Sequence, residues 1–179
     1  MAKVIDVNER TLEKEKEGFI KMCRFFEIIA KVFIIGMIVC LPILLFFYIA
    51  ASTGLVSDMA DFATPENLYS VFGLCGVSIG YIIALNFGAK IFKIVRTSES
   101  PFRYDVADKM KGAGYALAAS GVIGFILNMI ATVLEANGGF ALEMYMPETV
   151  PFLFGVFLIA LAYVFNYGCK LQQESDETI

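Results

Sequence analysis

Few side chains in this 179-residue sequence could carry covalent or proton-transfer chemistry, and their spacing removes most of those. There is no His, so the commonest general base, metal ligand and haem ligand is absent at a stroke. Cys23, Cys40, Cys75 and Cys169 form no Cys-x-x-Cys pair, which argues against a disulfide oxidoreductase. Cys40 and Cys75 fall inside apolar runs, where a thiol usually serves as a small apolar filler. Glu27 and Lys31 stand one helical turn apart, an arrangement that pairs the two charges rather than readying either for catalysis. No nucleophile stands beside a base, so no catalytic, cofactor-binding or metal-ligating residue is expected, and the chain is not expected to be an enzyme.

The remaining candidates are amides. Asn86, Asn128 and Asn166 sit within apolar runs, where an amide needs a partner and commonly bonds across a helix interface. Structural glue is the first role for them, and ligand binding the second. Asn86-Phe87-Gly88-Ala89-Lys90 reappears 80 residues later as Asn166-Tyr167-Gly168-Cys169-Lys170, the pattern of a duplicated helical hairpin or of shared boundary chemistry. A small transporter, channel or membrane-phase ligand binder would use that Asn86/Asn166 layer. Ion-coupled carriers place ionisable groups deep in their spans, and none of these runs has Asp, Glu, Lys or Arg near its middle.

The elements that position these residues are long apolar helices. The chain is 58% hydrophobic with mean hydropathy +0.71, against about 45–50% apolar residues in a soluble domain. Its apolar runs cover about 25–51, 68–95, 112–134 and 150–171, and each has the roughly 20 residues that cross a hydrocarbon core. The expected fold is therefore all-α: one integral membrane domain over 1–179, with four transmembrane helices in an antiparallel bundle. Small residues recur every four positions at Gly76, Gly80, Ala84 and Gly88, and again at Gly112, Ala116, Ser120 and Gly124. Because lipid is as apolar as Leu, such ridges, rather than hydrophobicity, let spanning helices associate. A tight contact between the second and third helices is expected, with self-association into a homo-oligomer as the competing use.

Charge orients the array. All 14 Lys and Arg residues lie in 1–24, in 96–111 or at the helix ends bordering those segments and the C-terminal tail. The other two gaps contain Asp58, Asp61, Glu66, Glu135, Glu143 and Glu148, and no cation. Short loops rich in Lys and Arg stay inside, so 1–24, 96–111 and 172–179 are read as cytoplasmic, with both termini inside. The same sorting explains the cations without nucleic-acid binding. Asn8 is placed to cap a short solvated helix that Gly18 would interrupt, Pro42 would kink the first span, and Glu17 and Lys21 are spaced to pair. Thr64-Pro65-Glu66 and Ser100-Pro101 look like helix starts, Asp105 and Lys109 are one turn apart, and 136–152 reads as an interfacial segment.

The tail resembles a known family. Phe165-Asn166-Tyr167-Gly168-Cys169-Lys170-Leu171-Gln172-Gln173-Glu174-Ser175-Asp176-Glu177-Thr178-Ile179 is similar to the ending of a bacterial four-span membrane family, domain of unknown function 2975. There an aromatic and Gly close the last helix, and Leu-Gln leads to an acidic Asp-Glu-Thr-aliphatic end. Ser100-Pro101-Phe102 likewise resembles that family's entry to the third helix. The resemblance implies a multi-pass protein of the bacterial cytoplasmic (inner) membrane with no established reaction. It also implies a neighbouring helix-turn-helix transcription regulator that the membrane protein holds inactive. The partner surface would then comprise Gln172, Gln173, Glu174, Asp176, Glu177, Thr178 and Ile179 with Ser100, Pro101 and Phe102. Its acids would suit a basic DNA-binding partner.

Overall fold

The computed structural model describes residues 2–53, 55, 65–98, 102–135 and 146–177, with side chains described at 14–53, 55, 71–98, 102–130, 132, 133, 149–175 and 177. These residues form four helices: α1 (Ala2–Ser52), α2 (Pro65–Thr97), α3 (Tyr104–Glu135) and α4 (Met146–Asp176). All four are long and apolar enough to cross a membrane.

Helix α1 is one uninterrupted element of 51 residues. Asn8 lies inside it rather than capping a separate helix, and Gly18 does not break it. Pro42 is likewise accommodated within the helix. Pro65 opens α2 as expected, since its missing N–H falls where no intrahelical acceptor exists. The α2–α3 connection behaves differently: α3 begins at Tyr104, three residues beyond Pro101, and the Arg103 carbonyl accepts the N–H groups of Val106 and Ala107. Ser100 and Pro101 lie outside the described residues. The expected interfacial segment is corrected in part. From Met146 onward it belongs to α4, with Pro147 in the first turn and Pro151 buried within the helix, while 136–145 lie outside the described residues.

Each helix packs on its neighbours in sequence: α1 on α2, α2 on α3, α3 on α4. No packing of comparable extent joins α1 to α4 among the described residues, so the helices stand in a row instead of closing into a ring. Between α2 and α3, Gly73 faces Gly124 and Leu127, Gly76 faces Ile123, Gly80 faces Ala116 and Ser120, and Phe87 faces Gly112. Numbers rise along one helix as they fall along the other. Between α3 and α4, Gly114 lies against Gly155 and Ile159, Ala118 against Gly155, and Gly121 against Phe152.

The distribution of side-chain size is the reverse of a soluble bundle's. Among the residues buried between helices are Ala30, Ala50, Ala51, Ala89, Ala107, Ala113 and Ala162, with Leu117 the largest aliphatic side chain. Phe25, Phe33, Phe46, Leu153 and Val164 point outward. Small residues inside and large apolar ones outside is what packing in lipid selects, because backbones must approach closely and burying Leu against Leu gains nothing over burying it against acyl chains.

Candidate functional site

Among the described residues, the charged groups lie along one edge of the row, formed by the charged part of α1, the α2–α3 connection and the C-terminal turns of α4. Its first cluster joins α1 to α2. Glu27 is 6% exposed, deep enough that its charge requires partners. Lys31 Nζ donates to Glu27 Oε1 at 2.6 Å, the pairing expected from their spacing. Arg96 reaches the same carboxylate from α2, with Nη2 3.3 Å from Oε2. That approach is an ion pair without hydrogen-bond alignment, and Glu27 Oε2 and Arg96 Nε are buried with no hydrogen bond among the described residues. Phe26 stacks on Phe92 beside the cluster, with ring centroids 5.5 Å apart.

A second cluster forms around Phe87. The ring lies over Gly112, where a Cβ would come within 2.8 Å of it, and two ammonium groups share it. Lys90 Nζ sits 5.6 Å and Lys109 Nζ 5.9 Å from its centroid. Asp105, one turn before Lys109, pairs with Arg103 at 2.9 Å instead. Farther along, Lys111 Nζ lies 4.8 Å from the Tyr163 ring centroid. Glu17 and Lys21 do approach each other, at 3.8 Å in a solvated setting.

A third cluster ties the α2–α3 connection to the tail. Phe102 stacks on Phe165 at 5.4 Å, and the Tyr104 hydroxyl lies 3.4 Å from Gln173 Oε1. Gln173 Nε2 in turn donates to Glu177 at 3.0 Å. Phe102 and Gln173, both anticipated as partner-surface residues from segments 69 or more positions apart, therefore belong to one surface. Gln172 is half-buried, whereas Glu174 and Glu177 are exposed. Asp176 ends α4, and Thr178 and Ile179 lie outside the described residues.

The small-residue ridges are used unevenly. Gly80 meets Ser120 and the Ala116 carbonyl so closely that a Cβ could not be inserted, and Gly76 and Gly112 are close behind. Gly124 is buried at the same interface, and Ala84 is half-buried. Gly88 meets nothing within 4 Å. Missed in the sequence was the second face of α3, where Gly114, Ala118 and Gly121 receive Gly155 and Phe152. The signal was present as a further set of small residues at spacings of four and three, about half a turn from the first. In the sequence Arg96 reads only as an orienting cation, and nothing local marks it as the partner of Glu27.

The amides are not assembled as a layer. Asn86 and Asn166 are on helices with α3 between them, and none of Asn86, Asn128 and Asn166 has a side-chain hydrogen bond among the described residues. The two similar segments share burial at Ala89 and Cys169 and open space at Gly88 and Gly168, yet Phe87 is packed where Tyr167 is 64% exposed. Asn86 is exposed and lines a groove with Ile82, Ile83, Phe87 and Lys90. All four cysteines are free thiols, Cys23 and Cys169 buried and Cys40 exposed.

The sequence pattern of the family described as "Protein of unknown function (DUF2975)" matches residues 51–179, most of the chain. The chain belongs to the DUF2975 family. The match takes in α2, α3, α4 and the last two residues of α1, and so includes the Phe102–Phe165 and Tyr104–Gln173 contacts of this DUF2975 protein. No curated protein and no solved structure matches it.

Proposed function

We propose that this DUF2975 protein is a non-enzymatic bacterial inner-membrane protein whose cytoplasmic face docks and restrains a cytosolic helix-turn-helix transcription regulator. The membrane part of the reading is supported by the inside-out placement of small and large apolar residues around four helices of spanning length. The descending register between consecutive helices supports an antiparallel array, and the cation distribution puts the charged end and both termini in the cytoplasm. The docking part rests on one observation: Phe102 of the α2–α3 connection and Tyr104 at the start of α3 are bound to Phe165 and Gln173 of α4, so a tail rich in acids is held as a fixed platform. Glu174 and Glu177 face outward from it and would complement a basic DNA-binding domain.

Co-purification of the regulator encoded beside the gene tests this. Full-length protein in mild detergent should retain it, removal of 172–179 should release it, and Phe102→Ala should weaken it by loosening the platform. Equal recovery with and without the tail would refute the docking site.

A further inference from the structure

The groove beside Phe87 has a use that docking of a soluble partner does not supply. It is about 170 Å³ and is lined by Ile82, Ile83, Asn86, Phe87 and Lys90. The lining is graded: apolar at Ile82 and Ile83, an amide at Asn86, then an ammonium at Lys90. From Ile82 to Lys90 it spans about 12 Å along the helix axis, close to the depth of one leaflet's hydrocarbon. Lys109 adds a second ammonium from α3, held like Lys90 near the Phe87 ring. Neither ammonium reaches a carboxylate within ion-pair distance among the described residues. Lys93 stands one turn beyond Lys90 on the same side of α2. The nearby Lys31–Glu27–Arg96 cluster differs in that its cations already share a carboxylate.

We propose that this groove is a binding site for one anionic phospholipid of the cytoplasmic leaflet. Its phosphate sits between Lys90 and Lys109, Asn86 donates its amide hydrogens to an ester or phosphate oxygen, and an acyl chain lies along Ile82 and Ile83. Phe87 fixes the site by keeping both ammonium groups close to one ring, and the ring in turn is seated on Gly112, where any side chain would displace it. The gradient matches an amphiphile and nothing soluble: a free anion would leave the isoleucine half empty, and a neutral lipid would leave two cations uncompensated. The exposed Asn86 amide gains the partner that it lacks among the described residues.

The inference rests on the membrane reading and is independent of the regulator. Two measurements separate them. Alkaline carbonate extraction of vesicles should leave the chain in the pellet, and release into the supernatant would overturn both the membrane reading and the lipid site. Native mass spectrometry of full-length protein in a neutral detergent, titrated with phosphatidylglycerol or phosphatidylcholine, then counts bound lipid. Wild type should retain one phosphatidylglycerol in preference to phosphatidylcholine, and Lys90→Gln/Lys109→Gln should bind it about thirtyfold more weakly, with phosphatidylcholine unchanged. Lys14→Gln/Lys21→Gln, which removes the same charge far from the groove, should bind as wild type does. Ile83→Trp should also lower binding, because it fills the apolar half while keeping both cations. Equal retention of both lipids by wild type, or equal loss in the two double-lysine variants, would overturn the site.

Discussion

The contact between α3 and α4 makes a quantitative prediction at Gly155. A Cβ placed there would lie 2.6 Å from the Gly114 carbonyl oxygen, and 2.5 and 3.0 Å from the Ala118 nitrogen and Cα. Both obstacles are backbone, so no rotamer change relieves the clash, and the helices must move apart by about 0.8 Å to restore an ordinary carbon–oxygen contact of about 3.4 Å. A gap of that size forfeits about a quarter to a half of the dispersion energy across the crossing. Overpacking of this kind costs about 1–3 kcal/mol, offset by up to about 1 kcal/mol from the better helix propensity of Ala. Gly155→Ala should therefore destabilise by about 1–2 kcal/mol. Gly88→Ala supplies the control, since its Cβ meets nothing within 4 Å and only the propensity gain remains. With no Trp in the chain, a thiol-dye melt in mild detergent is a suitable assay, because Cys23 and Cys169 are buried until the helices separate. The expected order of midpoints is Gly88→Ala at or above wild type, and Gly155→Ala several degrees below it. A Gly155→Ala midpoint at or above wild type would refute the close approach of α3 and α4.

Other consequences can be measured on the same preparation. Glu27→Gln strips Arg96 and Lys31 of their shared counter-charge and should lower stability by on the order of 2 kcal/mol, while Glu27→Arg/Arg96→Glu should recover part of the loss; a neutral Glu27→Gln melt would mean the pair contributes nothing. Gly18→Ala lies in open space in the interior of α1 and should slow amide exchange around it, in keeping with up to about 1 kcal/mol of helix propensity; unchanged exchange would place a break there. In a cysteine-free background, an impermeant maleimide applied to intact cells should label Asp58→Cys and spare Glu177→Cys until lysis. The reverse pattern would invert the proposed topology.

How far the sequence foretold this arrangement depends on the kind of signal. Spans were legible because hydropathy over 20 residues needs no knowledge of neighbours. The α2–α3 contact was legible at Gly76, Gly80 and Gly112 because small residues leave few alternatives in lipid. It failed at Gly88 for a geometric reason: a four-residue step turns about 40° beyond a full circle, so three steps carry the ridge about 120° off the interface. The contacts instead pass through Gly73, Gly76, Gly80 and Phe87, the mixed spacing of three, four and seven that keeps one face of α2 toward α3. What stayed hidden was long-range. Arg96 meets Glu27 across 69 positions, and Lys109 turns from Asp105 to Phe87 because Arg103 has taken the carboxylate. Nor could helices that are apolar on every side announce which face meets a neighbour, and so the row was not foreseen as a row.

The unbroken course of α1 gives the molecule a mechanical property. At about 1.5 Å per residue its 51 residues extend about 77 Å, more than twice the thickness of a hydrocarbon core. Among the described residues, the last one of α1 buried before its charged end is Cys23, a turn beyond the Glu27–Arg96 and Phe26–Phe92 contacts with α2. Lys14 stands about 14 Å beyond that fulcrum. A tilt of about 10° at the fulcrum swings Lys14 by about 2.4 Å, and a stiff rod without a hinge at Gly18 delivers the motion undamped.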